Sequence, residues 1–174
     1  MKTKNIENYL NSFGKQVVNR AKGGLQKKKG GGTNLEKSIK FKVTENAEGF
    51  SVQFFMANYG VYVDKGVSGT KQKRTYKDLD NKTVTSPFKY TNKQPPSGVL
   101  DKWVVRKGIA PRDKKGRFIN RKSLVFLIAR SIKSKGIQGL SFFQKPLRLG
   151  MKELNMKLLG AVKADIIESI NTVE

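Results

Sequence analysis

The chain has 174 residues, with 36 lysines and arginines against 13 aspartates and glutamates, no histidine and no cysteine, for a formal net charge of +23. Lacking thiols and imidazoles, it has no disulfide, no thiolate metal site and none of the commonest general bases, nucleophiles and transition-metal ligands. Its length suits one domain with a core of its own, its charge calls for an anionic neighbour, and no apolar run approaches the length of a bilayer span.

Ile6, Tyr9, Leu10, Phe13, Val17 and Ala21 recur at three- and four-residue steps, which predicts a helix over 4–22 ended by Gly23-Gly24. The opening residues carry no apolar signal region, so the chain is expected to be made in the cytoplasm. Residues 26–33 (Gln-Lys-Lys-Lys-Gly-Gly-Gly-Thr) have almost nothing to bury and read as a basic loop, either a solvated linker or an arm touching a polyanion. Ile39, Phe41 and Val43, then Phe50, Val52, Phe54 and Met56, alternate with polar residues on either side of a turn-forming segment, and predict an antiparallel hairpin. Tyr59, Val61 and Val63 alternate in the same way, which predicts a third strand with Tyr59 and Val63 on the core face, ending in a shaped turn at Gly66 and Gly69. On that register, Asp at either position is expected to unfold the subunit.

Residues 65–136 hold about 20 Lys/Arg against 4 Asp, so most of the charge lies there. Residues 71–98 read as a long loop or an extended hairpin arm, and removing residues 71–94 is expected to leave the core folded while impairing assembly. Ser97 is placed as the N-cap of a short helix carrying Val99, Leu100, Trp103 and Val104, stopped by Gly108. Leu124, Leu127, Ile128 and Ile132 make another helix with Gly136 at its C-terminal end, and Trp103 is expected to be the buried anchor of this pair. Pro146 is suited to the first position of a final helix whose apolar stripe runs through Leu147, Met151, Leu154, Leu158, Val162, Ile166 and Ile170. The stripe is long enough to pack on another subunit, or to span the sheet alone.

The expected architecture is therefore α+β: a small antiparallel sheet packed against an N-terminal helix and a long C-terminal helix, in one domain over 1–174 with a long basic insertion at 65–136. Catalysis is not expected. Asp78 and Asp80, the closest carboxylate pair, sit among lysines, and no phosphate-binding loop occurs. Gly66-Val67-Ser68-Gly69-Thr70 reads as a structural turn in preference to an anion nest. No zinc-finger spacing, basic-region heptad or aromatic–basic interleaving is present, so contact with nucleic acid would run through phosphates without base reading.

The motif Tyr-x-x-Tyr-Val-Asp-x-Gly (Tyr59, Tyr62, Val63, Asp64, Gly66), followed by Phe143, Pro146 and Leu147 at the entry to the last helix, resembles the neck and tail-completion proteins of tailed bacteriophages. The chain departs from that pattern in having Asp64 for a glutamate, Phe142 for a first proline, and a long insertion between the two motifs. The resemblance implies a structural virion subunit of the head–tail connector, without cofactor, metal or enzymatic activity. It would form a homo-oligomeric ring between portal or adaptor and tail, around packaged DNA held by nonspecific electrostatic contact, with no membrane involved. Lys71, Lys73, Arg74, Lys77, Arg112, Lys114, Lys115 and Arg117 are then the expected contacts, lining the channel or reaching neighbouring subunits. A stand-alone nucleic-acid-binding protein that does not read sequence is the alternative from charge alone.

Overall fold

The computed structural model of the chain describes residues 3–47, 49–113 and 115–171. It is α+β and divides into two compact units, one made of Met1–Asp64, Lys77–Lys82 and Leu140–Glu174, the other of Lys65–Tyr76 and Thr83–Gly139.

In the first unit, helix α1 spans Lys4–Lys29 and buries Ile6, Leu10, Phe13, Val17, Val18, Ala21 and Leu25. It runs through Gly23-Gly24 instead of stopping there. Each glycine costs about 1 kcal/mol in a helix interior, but continuing the helix buries Leu25 fully in the core with Leu35, Ile39 and Phe142, worth about 1.5–3 kcal/mol for such a side chain. Lys27, Lys28 and Lys29 thus form the last helical turn, where positive charge complements the helix dipole, and are not part of a loop. Helix α2 (Asn34–Ser38) follows, with Thr33 accepting from the Glu36 N–H as its N-cap.

Strands β1 (Lys40–Asn46) and β2 (Gly49–Phe55) form the expected antiparallel hairpin, with Phe41 opposite Phe54 and Val43 opposite Val52. The sheet packs on α1, where Gly14 leaves the space that the Phe41 ring fills.

The expected third strand does not exist. Tyr59–Val63 falls instead at a six-residue helix, α3 (Gly60–Lys65). Its helical spacing puts Gly60 and Asp64, four residues apart, on the buried side, while Tyr59 and Tyr62 are each 48% exposed. A Cβ at position 60 would meet Met56 Sδ at 2.6 Å and Leu35 Cδ1 at 2.9 Å, so a larger residue there would have to push those two side-chain ends aside. Five alternating residues satisfy a strand pattern and a short helix alike, and tertiary contact decided between them. The consequences for the two substitutions now separate. Tyr59→Asp is expected to change stability by no more than about 0.5 kcal/mol. Val63→Asp, which packs against the core cluster, is expected to cost about 2 kcal/mol or more; thermal melts of the two variants check this.

In the second unit, β3 (Val67–Ser68) pairs antiparallel with β6 (Gly136–Ile137). Helix α4 (Ser97–Arg106) packs on α5 (Arg121–Lys135), and Val104, Val125 and Ala129 are the buried residues of the pair. Trp103 is not the buried anchor: it is exposed, and the neighbouring Val104 takes that place. Leu127, expected on the inner face of α5, is also exposed. Ser97 is not the N-cap of α4: it is the first helical residue, and Pro96 holds the cap position without a side-chain hydrogen bond, while Gly108 follows the C-cap Lys107 at φ +61° and stops the helix as expected.

Residues 71–98 are not one long loop: they include the hairpin of the other expectation, in a short form. They contain the short hairpin strands β4 (Thr75–Lys77) and β5 (Thr83–Thr85). In the second unit, buried Ser86 then donates its hydroxyl to the Gly66 carbonyl at 2.6 Å, and the Tyr90 N–H reaches the Ser68 carbonyl at 2.9 Å. Removing residues 71–94 would take out part of the frame of this unit.

Helix α6 (Gln144–Asn171) returns to the first unit and lies along α1. Asp165 binds the start of α1, and Gly150 sits against Phe13 and Val17 in its middle, so the two helices run antiparallel. It begins two residues before the expected proline start. Pro146 is nevertheless tolerated in the first turn, where backbone N–H groups lack intrahelical partners.

Candidate assembly and polyanion-binding surfaces

The segments Tyr59–Asp64 and Phe143–Pro146, far apart in sequence, meet in the first unit. The Val63 and Asp64 carbonyls accept from the Leu140 and Ser141 N–H groups at 2.9 and 3.0 Å. The Asp64 carboxylate, 3% exposed, accepts from the Phe143 N–H at 2.8 Å and the Gln144 N–H at 3.3 Å. It thereby caps α6 from another element, placing negative charge at the positive end of the helix dipole. Phe143 packs edge-on against Phe54, ring centroids 5.4 Å apart, and Pro146 is buried. Tyr59 and Tyr62 stand at the surface beside this junction. Gly66, in the second unit, has φ +76° and leaves no room for a Cβ beside the Gly139 nitrogen and the Ile137 carbonyl.

A second cap of the same kind, which sequence reading missed, joins the other end of the helix pair. Asp165, fully buried on α6, accepts from the Asn5 and Ile6 N–H groups, each at 2.9 Å, at the start of α1. The available signal was an acidic residue beside the apolar stripe of the last helix. Burial works to raise the Asp165 pKa, but the two N–H donors outweigh it and hold the carboxyl below its ordinary 3.8. A depressed carboxyl pKa adds stability that is complete above the unfolded value and lost as pH falls through the folded one. Asp165→Asn is therefore expected to lower the melting temperature at pH 5, the gap to the parent narrowing as pH falls below about 4; melts from pH 5 to 2 read this directly.

The second unit carries 18 lysines and arginines against two aspartates, a net +16. Both aspartates are engaged within it: Asp101 pairs with Arg121 at 2.8 Å, and Asp113 with Arg117 at 3.2 Å. Lys71, Lys73 and Arg74 lie on a segment bound to the C-terminal end of α5. The Thr70 and Lys71 N–H groups reach the Lys133 and Ser134 carbonyls, and Arg74 Nε reaches the Lys135 carbonyl at 2.9 Å. Cations at that end complement the helix dipole, so Arg74 braces the fold, whereas Lys71 and Lys73 present their side chains to solvent. Lys77, in the first unit, donates to the Asn81 carbonyl. Arg112, Lys115 and Arg117 share a tight loop of their own in the second unit, and Lys114 lies outside the described residues.

The last helix presents apolar residues around most of its circumference. Leu147, Met151, Leu154, Leu158 and Val162 line a groove of about 540 Å³ with α1 and β2. The opposite side exposes Met156 (79% exposed), Leu159, Ile167 and Ile170.

Among the described residues, no group of three or more carboxylates could hold a metal ion, and no helix is long and apolar enough to cross a membrane. Compared with protein-family models, curated proteins and solved structures, the chain matches none of them.

Proposed function

We propose that this protein is a structural subunit of a bacteriophage head–tail connector, a neck or tail-completion ring joining portal or adaptor to tail around the DNA channel. The observation that carries the reading is the convergence of the two motif segments. Tyr59–Gly66 and Phe143–Pro146 are separated by the whole basic insertion, yet Asp64 reaches across to seat the final helix. The helix so seated carries the outward apolar face of Met156, Leu159, Ile167 and Ile170, which fits packing against a neighbouring subunit. The strongly cationic second unit fits a place beside packaged DNA, where weak phosphate contacts hold no particular sequence.

The test is negative-stain microscopy of the purified protein, alone and mixed with a portal complex. Discrete rings, or a ring added to the portal, are expected. A monomer or dimer that joins no portal complex would overturn the reading. It would favour the stand-alone nucleic-acid-binding protein that the +16 unit also suits.

A second expected outcome follows from the outward face of α6. Replacing Met156 and Ile167 together with glutamate should leave the subunit folded, because both side chains are at the surface. The assembled fraction in sedimentation velocity should fall by at least tenfold at equal concentration, since charged residues cannot be buried unpaired in an interface.

A further inference from the structure

Residues 111–113 and 115–118 form a small, internally braced loop in the second unit. Arg112 and Phe118 face each other across an isolated antiparallel bridge, and the Asp113 N–H reaches the Arg117 carbonyl at 2.8 Å. The Asp113 carboxylate accepts from the Lys115 and Arg117 N–H groups, each at 2.9 Å, and from Arg117 Nε at 3.2 Å. Gly116 turns the chain at φ +79°. Arg112 Nη1 donates to the Gly116 carbonyl at 2.9 Å, and the guanidinium lies 4.0 Å from the centroid of the Phe118 ring. Phe118 is nevertheless 66% exposed, and Arg112, Lys115 and Arg117 are exposed around it.

A lone exposed phenylalanine is unremarkable in itself. Here the ring is already oriented by a guanidinium that is itself held by a carbonyl, so its open surface is offered in a fixed attitude among positive charges. Such a set matches a strand whose bases have free faces and whose phosphates lie close by: stacking supplies contact without sequence preference, and the cations take the backbone. A duplex buries its base faces against one another and can use the cations alone.

We propose that the 111–118 loop is a stacking platform for single-stranded nucleic acid, Phe118 receiving the face of an unpaired base and Arg112, Lys115 and Arg117 the neighbouring phosphates. The inference stands apart from the connector reading, because it rests on the loop and not on ring assembly.

The test uses full-length protein and fluorescence anisotropy with three labelled probes of equal length: oligothymidylate, the same backbone without bases, and a duplex. Oligothymidylate is expected to bind about tenfold tighter than the abasic strand. Phe118→Ala and Phe118→Leu should both bring oligothymidylate down to the abasic level and leave duplex binding unchanged; the leucine variant keeps an apolar side chain beside Arg112 but lacks a π face. Lys115→Ala should weaken oligothymidylate and abasic strand alike and reduce the salt slope by about 0.7. Circular dichroism and melting temperature of each variant should match the parent, since these side chains are exposed. Equal affinity for oligothymidylate and abasic strand would overturn the proposal, as would parent-like binding by Phe118→Leu or an equal loss on duplex.

Discussion

Gly66→Ala is expected to lower stability by about 2–5 kcal/mol. At φ +76° an L-residue pays about 1–2 kcal/mol for the left-handed backbone. The new Cβ would also lie 2.5 Å from the Gly139 nitrogen and 2.7 Å from the Ile137 oxygen. Ile137 belongs to β6, which pairs with Val67–Ser68, and Gly139 follows two residues on; both are main-chain atoms, so the clash cannot be relieved by a side-chain rotation. Displacing them adds the cost of overpacking, typically about 1–3 kcal/mol. Gly98→Ala is the control. Nothing lies within 4 Å of its Cβ position in α4, and removing a helical glycine should stabilise by up to about 1 kcal/mol. Urea denaturation of both variants against the parent measures the difference; a Gly66→Ala midpoint equal to the parent's would show that the 66–68 turn is not packed as described.

Asp64→Ala is expected to cost about 2–4 kcal/mol. The substitution leaves the Phe143 and Gln144 N–H groups without their carboxylate in a buried setting, where an unpaired donor costs about 1–3 kcal/mol. It also removes the charge that complements the start of α6. Asp64→Asn retains one oxygen acceptor at the same place and is expected to cost only about 1 kcal/mol. The ordering parent, Asn, Ala in chemical denaturation identifies the carboxylate as a helix cap; equal losses for Asn and Ala would point to charge alone. Because α6 carries the outward face formed by Met156, Leu159, Ile167 and Ile170, Asp64→Ala is further expected to reduce assembly at temperatures where the isolated subunit remains folded.

Several elements were legible as patterns. The periodicity of Ile6 through Ala21 marked α1, the two alternating runs marked β1 and β2 in register, and the stripe from Leu147 marked α6. Each is long enough for its period to be unambiguous, and each buries one continuous face. The errors fall where a segment is short or where a partner lies far away along the chain. Tyr59–Val63 fits period 2 over five residues, but Gly60 and Asp64 are drawn inward by Leu35, Met56 and the start of α6, which no local pattern records. Gly23-Gly24 should end a helix by propensity, and does not because Leu25 is buried in the core. Trp103 has the bulk of an anchor, yet Val104 faces α5.

The candidate surfaces divide in the same way. Composition alone determined that the chain lacks histidine and cysteine chemistry and concentrates its positive charge between residues 65 and 136, because charge and residue type are properties of the chain whatever its shape. Only the tertiary structure decided which of those cations brace the fold, as Arg74 does at the end of α5, and which stand in solvent, as Lys71 and Lys73 do. It alone brought Asp64 to α6 and Asp165 to α1. A helix cap needs a carboxylate within hydrogen-bond reach of unpaired N–H groups, and when cap and helix are distant in sequence that proximity exists only once the chain has folded.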